Sequence, residues 1–532
     1  MSVKEKKNQE LPEPTKAKSG PVVFAVLDGW GVAPKSSGNA VYRARTPFMD
    51  RARRRYPVTT LQAHGRYVGL LPYQAGNSEA GHMNIGAGRV VRQDVVTVSE
   101  AIKDGTFFKN TAFHEAIKHA KKYGTKVHLM GLLTDGNSAH SSPEHVYALL
   151  KLCHEEGVAQ VRIHLFTDGR DSSPFAATRF LHDLEHHMNP GQEIASVMGR
   201  FYAMDRNRLW QRIALAYNAI VSGEGIVAPN AHTAILRGYN RGESDEFIMP
   251  TVMTDEEHRP VGIVEDNDVM IFFNLRSDRA RELTKAFVQP DFEARNEGAF
   301  IRHRKPENIR FAAMTEFGPD LPDVYTAFPS ATISNGLAET LAAYRQFYIA
   351  ESEKFAHVTY FFNGGFAAPR FGEERMRVPS QFVPHYDAKP EMRAHVITSE
   401  VARRLKVGLH DFIVINYANA DMVGHTGNFK ATVKAVECID ECLGLLAEAT
   451  LAVGGTLVIV GDHGNAEKKL NEETGEVMTE HTDNPVPFVV VGEKMRKAKL
   501  ADGMLADVAP TILDILDVPK PTDMTGFSLL RK

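Results

Sequence analysis

The stretch Pro21–Gly31 reads PVVFAVLDGWG. Its first seven residues are apolar and rich in β-branched side chains, a pattern typical of a strand buried on both faces of a parallel sheet. Asp28 follows this strand, and open α/β sheets bind their ligands just beyond the carboxyl ends of strands. We therefore predict an α/β fold with a ligand site near Asp28. For this residue alone, a turn-forming aspartate before glycine is an equally good interpretation.

Further apolar runs repeat this pattern along the chain, and most of them end in polar residues. Helical segments separate them, so a mostly parallel sheet is the predicted arrangement. The runs predicted as strands are Lys126–Leu133, Val161–Phe166, Val269–Asn274, His357–Phe362, Asp411–Asn416 and Thr456–Val460, and a further apolar run is Val486–Val491. By contrast, Arg237–Pro260 is polar and acidic, and we interpret it as a surface excursion.

Length and composition limit the class of protein. A chain of 532 residues predicts two or more domains. The net charge of −4 gives no global basic field for nucleic acid. No apolar run reaches the ~18 residues of a membrane span, so no membrane partner is predicted. The first 20 residues, rich in Lys, Glu and Pro, are interpreted as a mobile tail.

The chain has three cysteines, too few for a disulfide framework, which favours a reducing compartment such as the cytoplasm. Cys438 and Cys442 are spaced i, i+4 in a helical pattern and would lie on one face. With no other cysteine nearby, we interpret them as buried small hydrophobes and not as a zinc site.

The segment Gln74–Arg89 reads QAGNSEAGHMNIGAGR and contains four glycines around Ser78. Glycines permit tight turns and close approach of other groups. The residues after Ser78 indicate the start of a helix, whose free N–H groups would face an anion. Ser78 is therefore a candidate phosphate-binding residue or nucleophile. Taken alone, the segment is better explained as a surface turn that carries an ordinary serine, because short motifs often match by chance.

Acids and histidines follow several of the predicted strands. Three carboxylates and three imidazoles are enough for two mixed oxygen and nitrogen sites, which suit Mn²⁺, Zn²⁺, Co²⁺ or, less well, Mg²⁺. A metal beside Ser78 would lower the pKa of its hydroxyl and produce an alkoxide able to attack phosphorus. Each histidine alone is more simply a satisfied core or surface residue. The candidate ligands are Asp28, Asp421, His425, Asp462, His463 and His481.

Arginines occupy turn-rich segments in the middle of the chain. Their planar donor fork suits phosphate and carboxylate, so together they predict an oxyanion pocket, although any one of them fits a surface ion pair. These residues are Arg170, Arg200, Arg206, Arg276 and Arg279. Lys354 lies beside two glutamates, as on a solvated helix face. Its place before the predicted strand His357–Phe362 keeps a phosphate-binding role open.

Together these motifs resemble the cofactor-independent (2,3-bisphosphoglycerate-independent) phosphoglycerate mutases of the alkaline phosphatase superfamily, from about Val22 to Ser528. The matching motifs are LDGWG, GNSEAGHMNIGAGR, FTDGRD, GRFYAMDR, FNLRSDRARE, ESEKFAHVTYFFNGG, NYANADMVGHTG, VIVGDHGNAE and HTDNPVP. Two departures are Ala80, where relatives often carry valine, and the Thr134–His140 turn. His140 itself is retained.

The resemblance implies two α/β domains. An alkaline-phosphatase-like domain, with a mostly parallel sheet flanked by helices, would comprise residues 21–93 and 327–532. An inserted transferase domain would comprise residues 94–326, and the tail would be residues 1–20. The resemblance further implies two divalent cations, with Mn²⁺ or Co²⁺ preferred and Mg²⁺ or Zn²⁺ as alternatives. It implies no bisphosphoglycerate and a monomer.

The implied reaction interconverts 3-phosphoglycerate and 2-phosphoglycerate through a phosphoserine on Ser78, with Asp171 shuttling the proton of the glycerate hydroxyls. The implied ligands are Asp421, His425 and His481 for one metal, and Asp28, Asp462, His463 and the Ser78 oxygen for the other. The implied substrate contacts are Arg170, Arg200 and Arg206 for the carboxylate, and His140, Arg276, Arg279 and Lys354 for the phosphate. A phosphatase or phosphopentomutase on the same scaffold, and a metal-binding scaffold without turnover, are the alternatives.

Overall fold

The computed structural model describes residues 20–136, 138–318, 320–321, 323–329, 333–471 and 473–531. The predicted mobile tail therefore lies, except for Gly20, outside the described residues. The chain divides into two units. The first unit takes in the described residues of Met1–Gln93 and Ala331–Lys532, and the second those of Asp94–Ser330. Each unit has its own large sheet, and the two are described separately below.

In the first unit, eight described strands form one sheet, and the α/β class is confirmed. The first five strands in spatial order run parallel, while Val486–Val491 is antiparallel to both of its neighbours. In spatial order the strands are Glu374–Val378, Gln346–Glu351, Phe412–Tyr417, Val22–Leu27, Thr456–Gly461, Val486–Val491, Val58–Gln62 and Gly503–Met504. A separate two-stranded ribbon pairs Lys499–Leu500 with Leu530–Arg531.

The Val22–Leu27 strand is central in this sheet, and all six of its residues are buried, as its apolar sequence predicts. It pairs in parallel with a strand on each side, and Leu27 lies level with Tyr417 and Gly461. Because the three strands end at the same level, the loops that begin at Asp28, Ala418 and Asp462 leave from one edge of the sheet. This register brings distant segments of sequence together.

Helices flank the sheet of the first unit and bury its side chains. The longest, Phe429–Ala452, contributes Ile439, Leu443 and Leu446 to a core that also contains Val23 and Ile413. The other α-helices of the unit are Ala40–Arg43, Pro47–Arg55, Ser78–Ala87, Leu337–Thr340, Ala394–Val407, Asn419–Gly424 and Val508–Leu516. Short 3-10 turns occur at Gly65–Val68, Ser352–Lys354, Tyr386–Ala388, Glu493–Met495 and Leu505–Asp507.

The prediction of a strand at His357–Phe362 is wrong, because His357–Phe361 forms a π-helix. The strand of this region is the preceding Gln346–Glu351, so Lys354 follows a strand instead of preceding one. The Phe362 N–H donates to the His357 carbonyl at 3.0 Å, so the segment satisfies its own backbone groups. A short apolar run has no periodicity that separates a strand from a buried helical turn.

In the second unit, eight described strands also form one sheet, which is parallel except where Thr251–Met253 pairs with Gln192–Gly199. In spatial order its strands are Val324–Phe328, Arg310–Thr315, Val269–Phe272, Val127–Leu133, Val161–Thr167, Gln192–Gly199, Thr251–Met253 and Ile226–Ala228. Its helices are Asp94–Asp104, Thr111–Tyr123, Pro143–Glu155, Ala177–Glu185, Arg200–Ala203, Trp210–Val221, Ala231–Asn240, Ser277–Val288 and Phe292–Arg295, with 3-10 turns at Thr106–Lys109 and Asp245–Phe247.

The interpretation of Arg237–Pro260 as a surface excursion is wrong for much of its length. Thr251–Met253 is a buried strand of the second sheet. Asp245 is also buried, and its carboxylate accepts the N–H groups of Ala176 and Ala177 at 2.8 and 2.9 Å. The polar residues of this segment thus include one that ties it to the start of a neighbouring helix.

Among the described helices, none combines the length and the hydropathy that crossing a membrane requires.

Candidate functional site

Ser78 is the first residue of the Ser78–Ala87 helix, called the serine helix below, as the sequence predicts. Asn77 caps this helix, because its side-chain oxygen accepts the Ala80 N–H at 2.9 Å. Two glycines allow the helix to pack closely on its surroundings. A Cβ atom at Gly81 would lie 2.8 Å from the Asp462 carbonyl oxygen, and one at Gly86 would lie 2.0 Å from that of Phe362. The sequence thus places Ser78 deep in the unit, where it is almost fully buried.

The Ser78 hydroxyl is surrounded by ionisable groups. Its Oγ donates to Asp28 Oδ1 at 3.0 Å and lies 3.1 Å from His463 Nε2. The Lys354 ammonium donates to the same Oγ at 2.8 Å. It also donates to Asp28 Oδ1 at 2.7 Å and to Asp421 Oδ2 at 2.6 Å. A single hydroxyl therefore lies in contact with a carboxylate, an imidazole and an ammonium group.

One acid and imidazole cluster lies on the Asp421 side of this hydroxyl. Asp421 and His425 are four residues apart at the Asn419–Gly424 helix, and His425 Nε2 lies 3.2 Å from Asp421 Oδ1. His481 Nε2 lies 3.2 Å from the same oxygen and 3.1 Å from His425 Nε2. The potential ligand atoms of these three residues all lie within 4.8 Å of one another, which is close enough for them to bind one cation together.

A second cluster forms around Asp28, Asp462 and His463. His463 Nε2 lies 3.3 Å from Asp28 Oδ1 and 3.8 Å from Asp462 Oδ2. The same nitrogen lies 3.9 Å from Asp421 Oδ1, so the two clusters adjoin. His82, which the sequence interpretation did not name, groups with Asp28 and Asp462 within 4.8 Å. All six metal ligands predicted from the sequence, together with Ser78, are brought together in the first unit.

Burial and charge act in opposite directions on these groups. Burial disfavours ionisation of Asp28 and Asp421, but Lys354 and the neighbouring histidines together outweigh it and hold the pKa of both carboxyls below the ordinary value. Burial also disfavours protonation of His463. The carboxylates of Asp462, Asp28 and Asp421 outweigh it and raise the pKa of His463 to about 10. Three buried carboxylates therefore attract positive charge to this position.

The residues present fit divalent cations. Asp421 Oδ1 and Asp462 Oδ2 are buried carboxylate oxygens that accept no hydrogen bond of normal geometry from the described residues, although imidazole nitrogens lie 3.2 Å from the first and 3.3 Å from the second. A buried charged oxygen without a well-placed donor is costly unless a cation is placed against it. Mixed carboxylate and imidazole ligands suit Mn²⁺, Co²⁺ and Zn²⁺. Both orphaned oxygens belong to residues predicted as metal ligands.

His82 and Asn416, which were not among the residues predicted from the sequence, contact Ser78 and Asp28. His82 Nδ1 lies 2.8 Å from the Ser78 carbonyl oxygen, and its Nε2 lies 3.1 Å from Asn416 Nδ2. The Asn416 amide in turn donates to Asp28 Oδ2 at 2.7 Å. Asn416 is the fifth residue of the Phe412–Tyr417 strand. Only the register of neighbouring strands reveals that it faces Asp28.

Glu467 is another residue that was not predicted as part of the site, and it connects loops of the site to one another. Its buried carboxylate accepts the N–H groups of Gly31 at 3.1 Å and Asn465 at 2.8 Å, and the Asn484 amide at 3.0 Å. It therefore ties the loop after Asp28 to the loops that carry His463 and His481. The DHGNAE motif contained this residue, but nothing in the spacing showed that its partners lie in two other segments.

In the second unit, Asp171 and Arg200 form a buried ion pair. Arg200 Nη1 donates to Asp171 Oδ2 at 2.8 Å and to Asp168 Oδ1 at 2.6 Å, while the Ser138 hydroxyl donates to Asp171 Oδ2 at 2.6 Å. Burial disfavours the charged form of Asp171, but Arg200 and His140 outweigh it and hold the pKa of this carboxyl well below its usual value. Burial and the nearby Asp171 raise the pKa of Asp168. Asp168 and Ser138 were not among the predicted site residues.

The remaining predicted anion-binding residues of the second unit lie around Asp278. Its Oδ2 accepts Arg276 Nη2 at 3.0 Å and Arg206 Nη1 at 3.2 Å. His140 and Arg279 also act electrostatically on this carboxyl, whose pKa lies below its ordinary value. Arg170 and Arg200 in turn act on Arg279. The second unit thus gathers every predicted anion-binding residue except Lys354, which lies beside Ser78 in the first unit.

Comparison with known proteins gives a consistent result. The profile of the family described as "BPG-independent PGAM N-terminus (iPGM_N)" matches residues 98–319. The 2,3-bisphosphoglycerate-independent phosphoglycerate mutase of Clostridioides difficile (strain 630) is 45% identical over 519 residues, covering 96% of this chain and 99% of that protein. The enzyme of the same name from Thermomicrobium roseum is 47% identical over 517 residues, covering 96% and 98%.

A solved structure matches over the same length. The phosphoglycerate mutase of Leishmania mexicana superposes with a TM-score of 0.89 at 32% sequence identity, covering 98% of this chain and 100% of that one. Sequence and structure therefore agree along nearly the whole polypeptide. The chain belongs to the family of 2,3-bisphosphoglycerate-independent phosphoglycerate mutases, which are isomerases.

Proposed function

We propose that this enzyme interconverts 3-phosphoglycerate and 2-phosphoglycerate through a phosphoserine on Ser78, without bisphosphoglycerate. The observation that carries this proposal is the environment of the Ser78 Oγ. It lies within 3.1 Å of Asp28 Oδ1, His463 Nε2 and Lys354 Nζ. Packing a serine in the protein interior does not require three ionisable side chains around its hydroxyl. A nucleophile that must lose a proton and then hold a phosphoryl group does need them.

Two groups of side chains would hold two divalent cations. We assign one cation to Asp421, His425 and His481, and the other to Asp28, Asp462 and His463 with the Ser78 oxygen. When bound, the cations would lower the pKa of the Ser78 hydroxyl and offset the charge of the phosphoryl oxygens. The related Leishmania mexicana enzyme was crystallised at low cobalt concentration. This supports Co²⁺ for the present chain, and we propose Mn²⁺ as the other preferred cation, ahead of Mg²⁺ or Zn²⁺.

The protein's own groups account for the rest of the transfer. Ser78 Oγ forms the new bond to phosphorus while the bond from phosphorus to the 3-oxygen of the substrate breaks. Lys354 donates to Ser78 Oγ and is placed to stabilise negative charge that develops on the transferred group. The 2-oxygen of the bound glycerate then attacks the phosphoserine, and the bond from phosphorus to Ser78 Oγ breaks. Over the whole reaction one proton leaves the 2-oxygen and one is taken up by the 3-oxygen.

We assign that proton transfer to Asp171. Arg200 and Ser138 donate to its carboxylate and keep it in the ionised form, which can accept a hydroxyl proton. Arg200 also orients the carboxylate through its second bond to Asp168. Arg170, Arg200 and Arg206 are proposed to bind the glycerate carboxylate. His140, Arg276, Arg279 and Lys354 are proposed to bind the phosphate.

The experiment that tests this function is an enolase-coupled assay with 3-phosphoglycerate and without bisphosphoglycerate. The parent enzyme should turn over, and Ser78→Ala should lose activity. Ser399→Ala removes an exposed hydroxyl on a helix of the same unit and should behave as the parent. Release of inorganic phosphate at the rate of substrate loss would instead indicate a phosphatase. Turnover of a phosphopentose in place of phosphoglycerate would indicate a phosphopentomutase.

We also propose that the enzyme works as a monomer in the cytoplasm on this small-molecule substrate. Cys153, Cys438 and Cys442 are all free and buried, which fits a reducing compartment. Sedimentation equilibrium of the purified protein tests the monomer. A mass of twice the chain at micromolar concentration would contradict it.

A further inference from the structure

The helices Ala394–Val407 and Phe429–Ala452 bring a histidine and two cysteines together. His395 Nε2 lies 3.5 Å from Cys438 Sγ, and His395 Nδ1 lies 3.6 Å from Cys442 Sγ. Potential ligand atoms of the three residues all lie within 4.8 Å of one another. This cluster shares no residue with the two clusters around Ser78, and neither the proposed reaction nor the substrate pocket uses it.

We propose that Cys438, Cys442 and His395 bind one thiophilic cation of the Zn²⁺ class. Thiolate and imidazole are the ligands that Zn²⁺ prefers, and such ligands discriminate against Mg²⁺ and Ca²⁺. In a tetrahedral zinc site, sulfur and nitrogen ligands lie about 3.5 Å apart, given their usual bond lengths. Each sulfur lies at this separation from a different ring nitrogen of His395, so a rotation of the ring is needed to place one nitrogen near both sulfurs.

The helical spacing explains why the two sulfurs face one ligand. Cys438 and Cys442 are one helical turn apart and lie on the same face of Phe429–Ala452. Both are buried, so their positions are fixed by the core around them. The sequence interpretation found no further cysteine and treated the pair as hydrophobes. The third ligand is a histidine 43 residues before Cys438, on another helix, and only the fold brings it there.

His395 gives a cation access to the sulfurs. Its side chain is 47% exposed, so its ring can turn to direct one nitrogen at both cysteines. Glu441 Oε2 lies 4.0 Å from His395 Nε2 and offers a fourth ligand, for which water can substitute. The cluster borders a cleft of about 690 Å³, whose lining includes the acidic Glu391, Glu437 and Glu448 and the basic Arg45, Arg51 and Lys434. This cleft gives a cation a route to the cluster.

A bound cation would join two helices that flank the sheet of the first unit. Because a ligand that binds only the folded state stabilises that state, Zn²⁺ should raise the thermal midpoint of unfolding. It should leave turnover unchanged, since none of the three residues touches Ser78 or its neighbours. The site is therefore expected to act on stability and not on catalysis.

The test is a Co²⁺ titration of the full-length enzyme, followed by absorption spectroscopy. Co²⁺ at the sites around Ser78 would have only oxygen and nitrogen ligands. A near-ultraviolet charge-transfer band from sulfur to Co²⁺ therefore reports the proposed site alone. We expect this band in the parent enzyme, and we expect added Zn²⁺ to remove it. Absence of the band at saturating Co²⁺ would overturn the proposal and leave both cysteines as buried hydrophobes.

Matched variants make the assignment specific. Cys438→Ser and Cys442→Ser should each lose the band. Cys153→Ser removes the buried cysteine of the second unit and should retain it. His395→Asn changes a half-exposed residue and should fold as the parent does, yet bind Co²⁺ more weakly. A band of unchanged strength and affinity in the His395 variant, or in both Cys438 and Cys442 variants, would contradict the site.

Discussion

At the scale of single residues, Lys354 balances the charge around Ser78. Its ammonium lies within 2.8 Å of Ser78 Oγ, Asp28 Oδ1 and Asp421 Oδ2. Burial alone would lower its pKa, but the carboxylates of Asp28 and Asp421 outweigh burial and raise it. Lys354 therefore stays protonated and acts as a fixed positive charge. It is not suited to serve as a base.

Replacing Lys354 by methionine should lower kcat about 100- to 1,000-fold, which is typical when one donor to a developing oxyanion is removed. Methionine is similar in length and lacks the charge. The predicted metal ligands remain, so the metal content of the purified variant should match that of the parent. Lys389→Met, at an exposed position of the same unit, is the control. A Lys354→Met enzyme with nearly parental kcat would exclude this role.

Strand-end residues were predictable from the sequence at this scale. Asp28 and Asp462 directly follow apolar strands, and parallel strands end at one edge of a sheet. For Lys354, its place before a predicted strand kept a phosphate role open, but that strand prediction was wrong, and only family resemblance assigned the residue to the phosphate. His82, Asn416 and Glu467 are ordinary polar residues within larger motifs, and their partners lie far away in sequence. Their roles depend on register and packing, which spacing along the chain does not contain.

At the scale of elements, the serine helix is packed against the π-helix His357–Phe361. His357 Nε2 lies 2.8 Å from Glu79 Oε1, next to Ser78 in sequence. Phe362, just beyond the π-helix, packs near Phe24 with ring centroids 6.3 Å apart. π-helical turns are rare and occur frequently at functional sites. This one gives the serine helix a close-fitting partner.

Gly86→Ala should disrupt that packing. The new Cβ would lie 2.0 Å from the Phe362 carbonyl oxygen, and backbone atoms have little freedom to move away. We expect a loss of about 1–3 kcal/mol in the free energy of unfolding, as for other overpacked sites, together with reduced kcat. Urea unfolding and the coupled assay measure both effects.

Gly444→Ala is the matched control, since Gly444 also lies inside a helix. A Cβ there would meet Phe48 at 3.7 Å, an ordinary contact. This change should be neutral or stabilise the protein by up to about 1 kcal/mol, because alanine favours the helix. Equal effects of the two substitutions would show that helix propensity, and not the contact with Phe362, decides the outcome.

The end of the Gln346–Glu351 strand predicts a pH effect on stability. Burial raises the pKa of Glu351 to about 7, although the Arg393 N–H, at 2.6 Å from Oε1, acts in the opposite direction. Between pH 4.5 and 7 the folded state therefore binds more protons than the unfolded state. Stability from this group is present below pH 4.5 and is lost as the pH rises through 7.

Glu351→Gln removes this titration and keeps an acceptor for Arg393. The parent should lose stability relative to this variant as the pH rises from 4.5 to 7. The loss should be at most a few kcal/mol, because one pKa unit corresponds to about 1.4 kcal/mol. Urea unfolding of both proteins at several pH values measures the difference. A difference that stays constant with pH, or that grows in favour of the parent, would contradict the assignment.

Several buried strands could be predicted from the sequence, and two other elements could not. The buried strands Val22–Leu27, Val127–Leu133 and Thr456–Gly461 were predicted because their apolar runs are bounded by polar or turn residues. The π-helix was not predicted, because its apolar run is equally suitable for a strand. Thr251–Met253 was missed because three residues in a polar segment give no periodic signal.

At the scale of the whole molecule, distant segments supply one charged cluster. Asp28, Asp421 and Asp462 converge with Lys354 and His463 as their positive partners. Without cations, three buried carboxylates repel one another, and two of their oxygens accept no hydrogen bond of normal geometry from the described part of the chain. Metal binding should therefore affect both activity and stability.

Treatment with EDTA should abolish mutase activity and lower the thermal midpoint of unfolding. Adding back Mn²⁺ or Co²⁺ should restore both, and Mg²⁺ or Zn²⁺ should restore less activity. The Asp421→Asn enzyme, which lacks one carboxylate charge, should respond less to EDTA in its midpoint than the parent does. Full activity in metal-free buffer, with metal content verified by mass spectrometry, would contradict the two-cation assignment.

The sequence predicted the α/β class and the residues gathered in each unit, because strand ends and motifs are local features. It could not predict strand order, such as the placement of Val58–Gln62 beside Val486–Val491. That order depends on which faces of the sheet the helices cover. The cluster of His395 with Cys438 and Cys442 was also missed, because its residues lie on two different helices and only the fold brings them together.

The most direct measurement is mass spectrometry of the enzyme quenched in acid during turnover of 3-phosphoglycerate. Acid stops the reaction and preserves a phosphoserine, which peptide mapping can then locate. We expect one phosphoryl group on Ser78 in the parent enzyme and none in Ser78→Ala. Phosphate on another serine, or an active enzyme that never carries phosphate on Ser78, would contradict the phosphoserine route.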